Sequence, residues 1–309
     1  VDELPRIVLL AGPTASGKSD LALSLAERLG AEIINADSQQ VYRHFDIGTA
    51  KPSSEQLARV PHHLVSHVDP LVRFDAARYA LEAAAVLKQL SERGKPALVV
   101  GGTGLYMRSL LFGVVEGPGR DDAFRAELEA RAEREGREKL HAELARVDPE
   151  SAKTILVNDL LRVVRALEIL HLTGQRASAL RAEHGFARAR YQVWGRYLDP
   201  PREELYRRID RRTETMFRHG LLDEVRSLLS KGFAQAKVMQ SIGYSQAMAV
   251  IENRGSMSDA IAEAAQATRH YAKRQWTWFR KEPWLSPLTL ANADVDALER
   301  ELRAFFAGK

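Results

Sequence analysis

Apolar residues fall along this chain in two rhythms. Ile7-Val8-Leu9-Leu10 and Ala97-Leu98-Val99-Val100 are apolar at every position. Short runs without alternation predict strands covered on both faces. Residues 32–36, around Ile33-Ile34, and residues 191–198, around Val193-Trp194, read as two more strands, and 284–290 as a closing one. Between them the apolar positions recur every three or four residues. Leu21, Leu25 and Leu29 share one side of a predicted helix, and Gly30 suits its C-terminal cap. Residues 74–90 are Ala-rich with spaced apolar positions and predict a crossover helix that closes before Gly94. Strands alternating with helices predict an α/β fold around a parallel sheet.

The pattern changes after Phe112. Residues 113–119 carry three glycines and a proline, as a linker would. Residues 120–147 are densely charged, with Leu128, Leu140 and Leu144 as thin apolar anchors. Residues 158–170 have strong helical periodicity and place Arg162 and Arg165 on one face. Together these predict a helical insertion over 115–190. It divides an α/β core into a first part, 1–114, and a completing part, 191–309, that ends in basic helices.

In that last part, residues 202–229 read as one helix or two. They carry Arg207, Arg208, Arg211, Arg212 and Arg218 among interleaved acidic residues. Residues 241–246 form a polar turn before a helix. A final long helix combines Arg269, Lys273 and Arg280 with Tyr271, Trp276, Trp278 and Phe279. Two readings stand level there. The basic residues suit phosphate backbone and the rings suit base stacking, or the rings are core and the charges are solvated.

The sharpest chemical signal is Gly12-Pro13-Thr14-Ala15-Ser16-Gly17-Lys18-Ser19. It fills the G-x-x-x-x-G-K-[ST] pattern and sits between a predicted strand and a predicted helix, the context this phosphate loop requires. Its glycines let backbone N–H groups surround an anion, and the helix N-terminus adds its dipole. Lys18 would neutralise phosphate oxygens, and the Ser19 hydroxyl could reach Mg²⁺ directly or through water. The motif specifies phosphates, as of a diphosphate or a nucleotide such as ATP, without specifying the rest of the ligand. Asp37 follows the second strand. Ligands of open α/β sheets sit at the C-terminal strand edges, so Asp37 should face the same crevice, as a proton acceptor, a metal ligand or the cap of a following helix. Gly101-Gly102-Thr103-Gly104 ends the third strand where a nucleotide hydrolase often has a metal-holding Asp. Three glycines in four residues imply that something approaches the backbone closely. His62 and His63 are adjacent, not at metal-pair spacing, and read as having a structural or loop role rather than a metal-ligating one.

Composition narrows the classes. The 309 residues are 45% hydrophobic, enough for a sizeable core. There is no cysteine, which excludes disulfides, Cys-type zinc sites and a Cys nucleophile. The formal net charge of +4 permits nucleic acid binding without showing it. No apolar run reaches the ~18 residues of a membrane span, and no signal segment is read, so a cytoplasmic enzyme is expected.

Taken in order, GPTASGKS, NADSQQVYRHFDIGTAKP, PHHL, VGGTGLYMRSLL, NDLLRVVRALEIL, GLLDEV and TRHYAKRQWTWFR closely resemble the tRNA dimethylallyltransferase (tRNA isopentenyltransferase) family, from about residue 7 to residue 280. The resemblance implies a P-loop kinase-like sheet that binds a prenyl diphosphate with Mg²⁺. The implied reaction moves a dimethylallyl group from dimethylallyl diphosphate to N6 of the adenosine just 3′ of the tRNA anticodon. Carried over by position, Gly12, Pro13, Thr14, Ala15, Ser16, Gly17, Lys18, Ser19 and Arg212 would hold the diphosphate. Asp37 would take the N6 proton, with Lys18 and Ser19 acting on the leaving group. Asp37, Ser38, Gln39, Gln40, Thr103, Arg125, Leu161, Arg162, Val163, Val164, Arg165, Ser241, Ile242, Gly243, Tyr244, Ser245 and Gln246 would contact tRNA. The partners implied are an anticodon stem-loop and dimethylallyl diphosphate, no membrane, and a monomeric enzyme.

The chain departs from the family pattern in places. Ser19 stands where many members have Thr, Gln39 where Met is frequent, and Leu160-Leu161 where Pro-Gln is common. The zinc finger of eukaryotic members is absent, as in bacterial ones. A small-molecule kinase would share the phosphate loop but leaves the basic C-terminal helix unexplained. A prenyltransferase acting on free adenylate would need little RNA-binding surface. A pure RNA-binding module leaves the phosphate loop and Asp37 without a role.

Overall fold

The computed structural model describes residues 4–114, 119–184, 189–289 and 294–308. Strand β1 (Arg6–Ala11) runs through the glycine-rich loop into α1 (Lys18–Leu29). There follow β2 (Glu32–Asn35), α2 (Ser54–Arg59), β3 (His62–His63), α3 (Ala76–Glu92), β4 (Ala97–Gly101) and α4 (Gly104–Phe112). Five helices come next, α5 (Asp122–Glu135), α6 (Arg137–Val147), α7 (Pro149–Thr154), α8 (Leu160–Thr173) and α9 (Ala177–His184). The chain then returns through β5 (Gln192–Leu198), α10 (Arg202–Arg218), α11 (Leu221–Ser230), α12 (Tyr244–Ile251), α13 (Met257–Phe279), β6 (Ser286–Leu288) and α14 (Val295–Phe306). Among the described residues six strands pair in parallel, in the order β3-β2-β4-β1-β5-β6.

The chain forms two compact units, Val1–Leu111 with Ala189–Lys309, and Phe112–Arg188. The first holds the whole sheet. Every residue of β2 and β4 is buried, and β1 is buried from Ile7 onward. That is why β1 and β4 read as unbroken apolar runs. Leu21 and Leu25 of α1 and Leu298 and Leu302 of α14 pack with Ile33, Leu98 and Trp194 of the sheet. The second unit is helical in its described residues. Its core joins Leu128, Leu140, Leu144, Ile155, Val163, Val164 and Leu167. Its first residue lies three before the 115–190 insertion read from sequence, and the linker reading falls largely on 115–118, outside the described residues.

Two features refine the sequence reading. His62 and His63 form an edge strand, paired with Ile33 and Ile34, because β2 extends the sheet past β4. Two residues are too few to show a period. The close approach implied by Gly101 to Gly104 is made by the chain itself. A Cβ on Gly101 would lie 2.1 Å from the Ala36 carbonyl oxygen, and one on Gly104 2.1 Å from the Trp278 indole nitrogen. Among the described residues no helix is long and apolar enough to cross a membrane.

Candidate active site

The site is built at the C-terminal edge of the sheet, within the first unit. The loop after β1 turns on Ala15 (φ 62°) and Gly17 (φ 90°), both left-handed, and Gly17 caps α1. Left-handed backbone costs glycine little and alanine more, so Ala15 marks local strain. Ser16 N donates to Pro13 O over 3.2 Å. Lys18 Nζ donates to Pro13 O over 3.3 Å, folding the ammonium back over the loop.

Helix α10 supplies two arginines one turn apart. Arg208 Nη1 donates to Ser16 O over 3.3 Å, and Arg212 Nη2 donates to the Thr14 hydroxyl. Among the described residues, Arg212 Nε and the Ser16 hydroxyl are buried without a hydrogen-bond partner. Buried polar atoms rarely stay unpaired, so two orphans at one loop point to an absent ligand. Gln275 of α13 braces the loop from behind. Its Oε1 accepts from Thr14 N over 2.9 Å, and its Nε2 donates to Gly102 O over 2.9 Å.

Asp37 stands just past β2. Its Oδ1 accepts from Gln39 N over 2.8 Å and Gln40 N over 3.4 Å. The capping role considered for it is therefore real, but it caps a turn, because the next helix begins only at Ser54. Among the described residues its Oδ2 accepts no hydrogen bond, which leaves one carboxylate oxygen for a substrate. Thr103 Oγ1 accepts from Ser38 N over 3.1 Å, tying the ends of β2 and β4 together.

Charge is concentrated here. Burial lowers the Lys18 ammonium from 10.5 to about 8; Asp37 pulls it back up and Arg212 adds to the lowering. Burial also lowers Arg212, against the opposing pull of Asp37. Two cations share a partly desolvated site with one carboxylate, an arrangement that a bound anion would relieve.

Two cavities meet at these residues. The first, about 720 Å³, is lined by the phosphate loop, Asn35, Lys51, Gln56, His62 and Arg208. The second, about 340 Å³, is lined by Ser38, Gln39, Met216, Phe217, Ser241, Ile242, Gly243 and Tyr271. Both include Thr14, Asp37, Thr49, Ala50 and Arg212.

Residues 40–282 match the family model described as IPP transferase. The chain belongs to the IPP transferase family. Its sequence is 57% identical over 279 residues to a tRNA dimethylallyltransferase of Myxococcus xanthus, covering 90% of this chain and 91% of the relative. It is 50% identical over 300 residues to one from Anaeromyxobacter dehalogenans, covering 96% and 99%. Among solved structures, a full-length tRNA isopentenylpyrophosphate transferase of Bacillus halodurans superposes with a TM-score of 0.71 at 36% identity, over 98% of this chain and 96% of the other. A eukaryotic dimethylallyltransferase acting on tRNA superposes with a TM-score of 0.80 at 27% identity, over 99% and 80%.

In this IPP transferase, the residues expected to contact RNA divide by burial. Ser38, Gln39, Gln40, Thr103, Ser241, Ile242, Gly243, Ser245 and Gln246 are half-buried, and Ser241, Ile242 and Gly243 line the second cavity. Tyr244 is fully buried, and its hydroxyl donates to Glu224 Oε1 over 2.5 Å. In the second unit, Val163 and Val164 are buried in that unit's core. Leu161 is 74% exposed, and the Arg162 side chain is also exposed. Arg125 is engaged within the second unit. Its Nε and Nη2 donate to the buried Glu168 over 2.7 and 2.5 Å, and Arg165 Nη1 reaches the same carboxylate over 2.5 Å. Burial pushes Glu168 up, but these hydrogen bonds prevail and hold it at about 2.

On α13, Trp276 and Phe279 are buried, Arg269 pairs with Asp210, and Arg280 pairs with Asp199. Those two rings are core, whereas Tyr271 and Trp278 are half-buried and Tyr271 lines the second cavity. The sequence reading missed Arg208, whose signal was its four-residue spacing from Arg212. It also missed Gln275 and the Thr49-Ala50 wall, although both lie in stretches that carry the family resemblance.

Proposed function

We propose that this chain is the tRNA dimethylallyltransferase that its family membership implies, and that Asp37 and Arg212 mark the point where its two substrates meet. The shared lining of the two cavities carries the reading. Dimethylallyl diphosphate enters the first cavity with its phosphates on residues 12–19 and Arg212. The adenine enters through the second, between Asp37 and the 241–243 turn, extruded from the anticodon loop because a stacked base hides its N6 amine.

The adenine N6 lone pair is delocalised, so the other reactant must be strongly electrophilic. A bond forms between N6 and C1 of the allylic chain, and the C1–O bond breaks with its electron pair leaving on the diphosphate. Lys18, Arg212 and the loop N–H groups stabilise that growing negative charge. Asp37 Oδ2 takes the N6 proton as the C–N bond forms. Mg²⁺ fits the donor set. Among the described residues no cluster of three His, Asp or Glu could hold a metal, and the Ser19 hydroxyl, at the Ser/Thr position of the phosphate loop, would hold the ion together with substrate phosphates and water. Bound there, it adds positive charge at the leaving group.

Leu161 and Arg162 are the exposed residues of α8 that we assign to tRNA. We take a monomer as the working unit, acting in the cytoplasm where its RNA substrate resides.

The test mixes the protein, Mg²⁺ and labelled dimethylallyl diphosphate with an unmodified anticodon stem-loop, with free AMP in a parallel tube and ATP replacing the prenyl donor in another. Label in the stem-loop alone supports the reading. Label in AMP moves the assignment to a free-nucleotide enzyme, and ATP consumption without prenyl transfer overturns it in favour of a kinase.

A further inference from the structure

We infer that Glu224 is a positioning residue for the transfer step, holding the 46–51 segment as the partition between the two cavities. The inference rests on the prenyl-transfer reading above. Glu224 touches neither cavity, yet its carboxylate is fully engaged. Oε2 accepts from Asp46 N over 3.0 Å and Ile47 N over 2.7 Å, and Oε1 accepts from Gly48 N over 3.3 Å and the Tyr244 hydroxyl over 2.5 Å. Three successive backbone N–H groups turned to one side form an anion-binding nest. Here the anion is a side chain from α11, far away in sequence. Gly48 permits the approach, since a Cβ there would lie 2.5 Å from the Tyr244 ring.

The residues that follow the nest are the partition itself. Thr49 and Ala50 line both cavities, and Ala50 has a left-handed backbone (φ 53°). On the far side Gln40 Nε2 donates to Thr49 O over 3.1 Å and Ala50 O over 2.9 Å. Gln40 N in turn donates to Asp37 Oδ1. A continuous chain of hydrogen bonds therefore runs from Glu224 through the partition to the turn that orients Asp37. Tyr244, the fourth donor to Glu224, directly follows the 241–243 turn that lines the second cavity. One carboxylate thus ties the wall on the donor side to the wall on the acceptor side. Releasing it would merge the two spaces, let Asp37 reorient and admit water to the allylic carbon.

The experiment uses the full-length protein with Glu224→Gln and Tyr244→Phe. Glu224→Gln keeps the shape but turns an NH₂ toward N–H donors, and Tyr244→Phe removes one of the four bonds. Four quantities are read: melting temperature, affinity for inorganic diphosphate, single-turnover transfer to the stem-loop, and dimethylallyl alcohol released by hydrolysis. Displacing reacting groups by about 1 Å costs on the order of a hundredfold in rate, so Glu224→Gln should slow transfer by roughly tenfold to a hundredfold. Diphosphate affinity should be unchanged, and the share of donor lost to water should rise. Tyr244→Phe should show the same signature more weakly. A folded Glu224→Gln protein with the parent's transfer rate and hydrolysis share overturns the inference, and so does transfer lost only in proportion to diphosphate binding. If Glu224→Gln does not fold, Tyr244→Phe decides on the same criteria. A parent protein that transfers no prenyl group would instead overturn the functional reading itself.

Discussion

Lys18 offers a test that separates its charge from its mere presence. Its folded value of about 8 lies below the ordinary 10.5 because burial disfavours the ammonium. A bound diphosphate brings negative charge against it and should raise that value again. Binding is therefore coupled to protonation, and the sign follows. Below pH 8 the free protein already holds the proton and binding costs nothing extra. Above pH 8 the free protein has lost it and must take it up to bind. Between pH 7 and pH 9 the charged fraction of such a group falls about tenfold, so the Kd should rise about tenfold, or about 1.4 kcal/mol. The assay is calorimetric titration with dimethylallyl diphosphate and no RNA, so that no transfer occurs. The ligand's own ionisation is largely complete by pH 7, since such phosphates titrate near pH ~6. Lys18→Arg keeps a charge that cannot be lost in this range and should bind with little pH dependence. Lys18→Met should bind weakly at both pH values. Equal affinity of the parent at pH 7 and pH 9, or a tenfold loss retained in Lys18→Arg, would refute the argument.

Other outcomes follow from the same geometry. Asp37→Asn keeps the cap to Gln39 N but loses the proton acceptor; single-turnover transfer should fall roughly 10²–10⁴-fold while diphosphate affinity stays close to the parent's. Glu168→Gln would leave Arg125 underpaired in the interior of the second unit and should destabilise that unit by about 3–5 kcal/mol, read by denaturant unfolding. In the parent, Glu168 is held at about 2 against 4.5, so its contribution is fully present above pH 4.5 and is lost as pH falls toward 2, by about 3 kcal/mol in total; an acid titration of the Glu168→Gln variant should lack that component. Gly101→Ala places a methyl 2.1 Å from the Ala36 carbonyl oxygen, against backbone that cannot step aside, and should lower the melting temperature and reduce transfer together.

The local features were legible along the chain. The phosphate loop is one contiguous motif whose function depends on neighbouring residues, and a strand–loop–helix pattern is enough to place it. Asp37 could be placed because a parallel sheet puts its strand ends on one edge. The charged, thinly apolar stretch signalled an excursion from the core, because a small helical unit needs only a few large apolar residues on each helix. Other facts exist only after folding. Gln275 supports the loop from 261 residues away, and Glu224 reaches the 46–48 backbone from about 176 residues away. Neither contact has a period or spacing to read. Burial also reassigned side chains that sequence could not sort. Val163, Val164 and Tyr244 face inward, and Arg125 spends its charge on Glu168. A residue's type sets what it can bond to, but only the packed chain decides whether a neighbour has already taken that bond.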